Sequence, residues 1–295
     1  MSALQILKSQ IRDVVEHALI PAAACLLPWP AYYRLLYRIA GSRRLLHEAC
    51  QSASAGYFAV FGTYPDDEWL RRFRLTLLID RADAFLTLTR STTWLDRHVA
   101  VSGQWPDTPF IGITFHFGGG MWSIPHLART GQRASFLSLR FSRADFGKHP
   151  LRYLLARFRM WTVERAGNAP IIYTGGSIAS IQRATDRGET VIGLIDVPPH
   201  QAEKGRQPVR LLNRDATLPT GLLGIAAGRH LPVAGFVMDV DWNSGKRRLK
   251  IQPLKGTTPV EQVAELADML DDALSVAPEA WHLWLCAPSL LSVQS

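Results

Sequence analysis

The chain has 295 residues, 47% of them hydrophobic and 20% charged, with a formal net charge of +8. That length and composition suit one large folded unit with a sizeable core, and they exclude a low-complexity or disordered array. The positive balance favours an acidic partner, either an anionic bilayer surface or an acidic carrier protein. The arginines are dispersed and no zinc-finger or RNA-binding signature appears, so nucleic acid is set aside.

Residues 1–100 read as a helical N-terminal region. Leu7, Ile11, Val14, Val15 and Ala18 recur at helical spacing. The apolar run from Ala18 to Ala31 is interrupted by Pro21, Pro28 and Pro30 and falls short of the about 20 residues a spanning helix needs. Asp13 and Glu16 precede it, which does not read as a secretory signal. Trp29, Tyr32, Tyr33 and Tyr37 then alternate with Arg34, Arg38, Arg43 and Arg44. Aromatic and basic residues so mixed suit a helix lying in a membrane interface; the alternative is a helix packed on its own domain. The expectation is peripheral contact with the cytoplasmic face of the membrane. Further helices are expected at Leu45–Ala49, Ala53–Phe61 and Trp69–Phe85, the last opened by Asp66, Asp67 and Glu68.

From 101 to 295 the pattern changes to strands alternating with helices. Strands are expected at Phe110–Phe115, Ala134–Phe141, Ile171–Tyr173, Thr190–Ile195 and Val233–Asp239. Helices are expected at Met121–Arg129, Leu151–Arg159, Ser177–Arg187, Thr220–Arg229 and Val260–Val276. A turn at Asn243-Ser244-Gly245 predicts a local hairpin into Leu249–Ile251. The fold class that follows is α/β: a mixed, largely parallel sheet flanked by helices, behind the helical N-terminal region. Functional groups in such sheets gather beyond the carboxyl ends of the strands. His116 and Asp196 both fall there, each directly after an apolar strand.

The sharpest local feature is Phe115-His116-Phe117-Gly118-Gly119-Gly120. Three consecutive glycines carry a large entropy loss on folding and serve a tight path or a close approach. Their amide N–H groups would be available to a developing oxyanion, and His116 would act as general base. The alternative is a strand-to-helix turn with a hydrogen-bonded histidine. Cys25, Cys50 and Cys286 are too far apart for a metal knuckle or a disulfide framework, and no HExxH or DxDxD run appears, so no metal or cofactor is expected. A GxSxG elbow is also missing, which removes the nucleophile of a serine hydrolase.

The histidine-glycine segment resembles the first motif of the lysophospholipid acyltransferase superfamily, and more closely that of the bacterial lipid A biosynthesis (lauroyl/myristoyl) acyltransferases. In that motif a histidine is followed, after four residues, by an acid. Downstream segments agree in order from about 108 to 285. Ser138-Leu139-Arg140 is similar to a strand ending in arginine, and the helix through Arg159 to one whose arginine anchors the thioester or oxyanion. Leu194-Ile195-Asp196 resembles a strand ending in Asp-Gln, Leu212 to Gly221 a loop running into a threonine-glycine helix start at Thr220, and Pro278 to Trp284 a Pro-Glu-x-Trp ending. The resemblance implies an acyltransferase taking its acyl group from acyl carrier protein or coenzyme A, as co-substrate, to a lipid or lipid-like acceptor.

Three departures stand out. Met121 occupies the place of the motif acid, Val197 follows Asp196, and the 211–214 loop has no phenylalanine. Asp145, Glu164 and Asp196 are the acids that could orient His116 instead, with Asp196 best placed. The expected catalytic set is therefore His116, Arg159 and Asp196, with Gly118, Gly119, Gly120, Met121, Arg140 and Thr220 bordering the substrate. The competing expectation is a degenerate relative that binds acyl chains or a partner enzyme without turnover.

Overall fold

The computed structural model describes residues 3–291; residues 1–2 and 292–295, at the two ends of the expected N-terminal region and core, lie outside the described part. The fold is α/β, as the alternating pattern predicts. Seven strands form a single sheet in the spatial order β1-β9-β8-β2-β5-β3-β4. They are β1 (Val99–Ser102), β2 (Ile111–Thr114), β3 (Ala134–Ser138), β4 (Ile172–Tyr173), β5 (Thr190–Leu194), β8 (Val233–Val240) and β9 (Arg247–Pro253). All neighbouring pairs are parallel except β8 and β9, which form the hairpin expected at Asn243-Ser244-Gly245. The central strands β2 and β5 are almost wholly buried, consistent with a sheet covered on both faces.

Two features depart from the sequence reading. The stretch at 206–219 forms a separate antiparallel hairpin, β6 (Arg206–Leu211) and β7 (Arg214–Pro219), in place of a loop. Leu212 and Asn213 turn it, both with positive φ, the geometry of a two-residue hairpin loop that usually recruits Asn-Gly. Leu212 hides that signal. The strand β1 also goes unpredicted, because three of its four residues are exposed at the edge of the sheet and carry no apolar alternation.

The helices start where their chemistry directs. Asp66 caps the helix Asp67–Thr89 by accepting the Trp69 N–H at 2.7 Å, with Asp67 and Glu68 in its first turn. Thr258 and Glu261 form a capping box at the start of Pro259–Val276, with Pro259 at the first helical position. Residues of the N-terminal helices and of the sheet belong to one hydrophobic cluster.

The aromatic-basic stretch after residue 28 splits by face, with Arg34, Tyr37, Arg38, Arg43 and Arg44 exposed and the other aromatics turned inward. Trp29, Tyr32 and Tyr33 are buried on the helix Trp29–Ile39; the Tyr33 hydroxyl donates to the Trp242 carbonyl at 2.6 Å and Tyr32 to that of Ile20 at 3.0 Å. Their spacing places them on the core face, so they are not an interfacial belt. Exposed apolar residues occur instead at Leu7, Ile11, Val14, Val15, Leu19 and Leu26. No described helix is long and apolar enough to cross a membrane.

Trp29 has a particular partner. The Arg247 guanidinium lies between the rings of Trp29 and Trp122, 4.0 and 3.9 Å from their centroids, and pairs with Asp83. Both charged groups are fully buried. Desolvation pushes the Asp83 carboxyl up to about 7, against the opposing pull of Arg247.

Candidate functional site

The register of β2 and β5 builds the site. Ile111 pairs with Val191 and Thr114 with Leu194, so each residue of β2 stands beside the residue 80 positions later. Continued two residues beyond the strands, that offset brings His116 beside Asp196. The connection leaving β2 runs to β3 on one side, and that leaving β5 runs to β8 on the other. The two exits cross rather than diverge, and the crevice that holds both residues lies just beyond the carboxyl ends of these adjacent parallel strands.

In that crevice His116 Nδ1–H donates to Asp196 Oδ1 at 2.9 Å. The His116 main-chain N–H donates to the same carboxylate, 3.1 Å from Oδ1 and 2.9 Å from Oδ2. Trp281 Nε1–H donates to Oδ2 at 2.9 Å. Asp196 is 1% exposed, whereas the His116 side chain is 31% exposed. Of the other acids considered, Asp145 caps the turn after Ser142, and Glu164 accepts the Ile171 N–H at 3.0 Å. Met121 is buried at the edge of the site and offers the ring no acceptor.

Burial draws the His116 pKa down, but the charge and hydrogen bond of Asp196 outweigh it and hold the imidazole above its ordinary value. With the proton fixed on Nδ1, the neutral ring presents an unprotonated Nε2 that has no hydrogen-bond partner among the described residues.

Two cavities meet at His116. One, of about 300 Å³, is apolar and runs between the sheet edge and the helix Gly221–Gly228, against Ile113, Phe136, Leu137, Leu194, Leu222 and Leu223. The other, of about 260 Å³, is also walled largely by apolar side chains such as Phe117, Met160 and Val163, but it carries Asp80, Arg159 and His282, with Gly118, Gly120 and Met121. Arg159, on the helix Pro150–Gly167, forms a two-pronged pair with Asp80 of the helix Asp67–Thr89, at 2.7 and 2.9 Å. Its side chain remains 36% exposed.

The glycines divide their work. Gly118 has φ +59, and a side chain there would run into the Met238 carbonyl oxygen. Its N–H is committed to the Ala280 carbonyl at 2.8 Å, so it is not an oxyanion donor as expected. A Cβ at Gly119 would stand 2.8 Å from Asp83 Oδ2, seating this turn directly on the buried Asp83–Arg247 pair. A Cβ at Gly120 would meet nothing within 4 Å. The N–H groups of Gly119 and Gly120 donate to no acceptor among the described residues.

The segment Pro278–Trp284 clamps this turn, a role the sequence did not reveal. Beside the Trp281 and Ala280 contacts, the His282 N–H donates to the His116 carbonyl and His282 Nε2–H to that of Gly118, both at 2.8 Å. His282 thus lines the second cavity opposite a turn that it also holds. The signal lay in the Pro-Glu-x-Trp pattern, which marks the segment but not its partners.

Three expected residues stand elsewhere. Gly119 lines neither His116 cavity and is turned toward Asp83 and Ile79. Arg140 lies two residues past the end of β3, exposed, with its guanidinium over the Tyr173 ring at 4.9 Å, and it borders neither His116 cavity. Thr220 is tied to the Gly205 carbonyl through its N–H (2.7 Å) and hydroxyl (2.8 Å); its neighbours Pro219 and Gly221 line the apolar cavity, and it does not. No group of three or more His, Cys, Asp or Glu side chains among the described residues is arranged to hold a metal ion. No protein-family model matches the chain, and no curated protein shows significant similarity to it.

Proposed function

We propose that the chain is an acyltransferase that moves a fatty acyl group from a thioester to a hydroxyl or amine of a lipid or lipid-like acceptor. The observation that carries this reading is His116, oriented by Asp196, with Nε2 open where an apolar cavity meets one that carries Asp80, Arg159 and His282. The first suits the acyl chain, and the second, with its charged groups, suits the acceptor.

In the reaction, His116 Nε2 takes the proton from the acceptor O–H or N–H as that atom attacks the thioester carbonyl carbon. Asp196 stabilises the imidazolium that forms and keeps the ring in one tautomer. The oxyanion of the tetrahedral intermediate is met by Arg159 and the Gly120 N–H, which both border the second cavity. Collapse breaks the carbon–sulfur bond, and the imidazolium returns its proton to the departing thiolate. The acid lost at Met121 is replaced by one delivered through the β5 register, which favours an active enzyme over a degenerate acyl-binding relative.

The thioester is carried by acyl carrier protein or coenzyme A, and the basic surface favours the acidic carrier protein. The exposed apolar residues Leu7, Ile11, Val15, Leu19 and Leu26 suit peripheral attachment to the cytoplasmic face of the membrane. The test is transfer of a radiolabelled acyl group from both donors to a panel of lipid acceptors, comparing wild type with His116→Ala. A loss on the order of 10³-fold is expected; equal turnover by the two proteins would end the proposal.

A further inference from the structure

His282 is shared with a third cavity, of about 330 Å³, which the acyl-transfer scheme leaves unused. Its basic lining comes from separate helices: Arg12 and His17 near the start of the chain, His47, Arg81 and Arg152. Two of the three arginines are spoken for. Arg12 pairs with Glu48, and Arg152 bridges Asp13 at 2.8 Å and Glu48 at 3.5 Å.

Arg81 is different. Among the described residues its guanidinium donates only to the Glu16 main-chain carbonyl, at 3.3 Å, and it has no carboxylate ion-pair partner. The Glu16 carboxylate is turned instead to the Leu46 N–H, at 2.9 Å. A half-buried guanidinium with most of its five N–H donors unused, facing a polar cavity, is an incomplete receptor. The carboxylates of Glu16 and Glu48 also line the cavity, the latter neutralised by Arg12 and Arg152. Burial draws the Arg81 pKa down to about 10, with Glu16 and Asp80 opposing the fall and Arg152 and Arg159 adding to it. Burial and then Arg81 and Arg152 drive that of His17 to about 3, so His17 stands in the cavity as a neutral ring.

We propose that this cavity is a receptor for a phosphate ester, held by Arg81 with Arg152 and Arg12, on a substrate whose reacting end passes His282 to reach His116. A planar guanidinium matches a phosphate in two-pronged fashion. A phosphate also brings more charge and more acceptor oxygens than a carboxylate, enough to engage Arg81 and His17 together. Such a group belongs either to the pantetheine arm of the thioester donor or to a phosphorylated acceptor. Its assignment to a substrate rests on the acyl-transfer reading; binding of the anion does not.

The test is calorimetric titration of the full chain with methyl phosphate. Binding is expected in the wild type, weakened about tenfold or more in Arg81→Gln by loss of charge-assisted hydrogen bonds, and partly restored in Arg81→Lys. Arg12→Gln, a substitution at the exposed rim, should weaken it by about threefold. Where Arg81→Gln loses its cooperative melting transition, Arg81→Lys and Arg12→Gln carry the comparison. Displacement of methyl phosphate by coenzyme A assigns the site to the donor, and displacement by glycerol 3-phosphate assigns it to the acceptor. Absence of binding at millimolar methyl phosphate, or equal affinity in wild type and every arginine variant, overturns the proposal. Because binding is read without turnover, failure here and failure of acyl transfer are separate results.

Discussion

Trp281 and His116 hold the Asp196 carboxylate from opposite ends of the chain, the indole N–H on Oδ2 and the imidazole Nδ1–H on Oδ1, each at 2.9 Å. The acid is therefore saturated with donors and fixed before any substrate arrives. Replacing Asp196 by Asn should lower kcat by about 10²- to 10⁴-fold, because the amide permits the wrong tautomer, and should lower the melting temperature, because its NH2 cannot accept from these buried donors. Trp281→Phe removes one donor and leaves a buried oxygen less satisfied, at about 1–3 kcal/mol. It should melt earlier and keep measurable activity. Wild-type turnover in Asp196→Asn would remove this carboxylate from the mechanism.

The pH profile follows from the same pair. On the proposed mechanism the neutral form of His116 is the base, and Asp196 holds its pKa above the ordinary 6.5. The acidic limb of kcat/KM should therefore have its midpoint above 6.5, with activity rising as pH rises through it. In Asp196→Asn the main raising influence is gone, and burial and Arg159 pull down against Asp80 alone, so the limb should move to lower pH. The stability linkage has the opposite sense. A folded pKa above the unfolded one stabilises the protein fully below the unfolded value, and that contribution is lost as pH rises through the folded value. A midpoint below 6.5 in the wild type would show that the Asp196 contact is not maintained in solution.

Two of the three glycines should respond differently. Gly118→Ala combines a positive φ with a clash against the Met238 carbonyl, and should destabilise by about 2–4 kcal/mol from strain and overpacking. Gly120→Ala meets open space within the second cavity, and should raise KM or lower kcat while leaving the melting temperature near wild type. Thermal denaturation and steady-state kinetics on the two variants distinguish a structural from a substrate-facing glycine.

Met121→Glu places a carboxylate where the resembling family carries one. Here the His116 Nδ1 is already occupied, so the new acid would be buried without its usual partner. An unpaired polar group of this kind costs about 1–3 kcal/mol. Lower stability with no gain in turnover is expected, and a large gain in activity would mean that Asp196 is not the orienting acid.

Arg247→Met tests the foundation under the glycine turn. Removing one member of a buried pair leaves the other uncompensated, at about 3–5 kcal/mol. The variant should unfold at markedly lower temperature. Wild-type stability would imply that Asp83 is satisfied without Arg247.

How far the site was legible depends on the kind of signal. His116 and Asp196 could be paired because each ends a buried apolar run, and in a parallel sheet residues that follow neighbouring strands share one edge. The capped helix from Asp67 was readable for a similarly local reason. Arg159 could be located but not its bond to Asp80, since a charge contact between two helices leaves no periodic trace. The burial of Arg247 between two tryptophans was invisible because arginine on a strand ordinarily marks an exposed face. The hairpin at 206–219 was missed where a leucine holds a conformation that glycine or asparagine usually announces.

The clamp formed by Pro278–Trp284 has a consequence for the order of events during synthesis. His116 and its β5 neighbour emerge from the ribosome long before Trp281 and His282, so the nascent chain can assemble most of its sheet while the turn after β2 still lacks its tether. The turn is fully tethered only once translation has passed residue 282, so the final geometry of His116 and Asp196 is set by a segment made well after both.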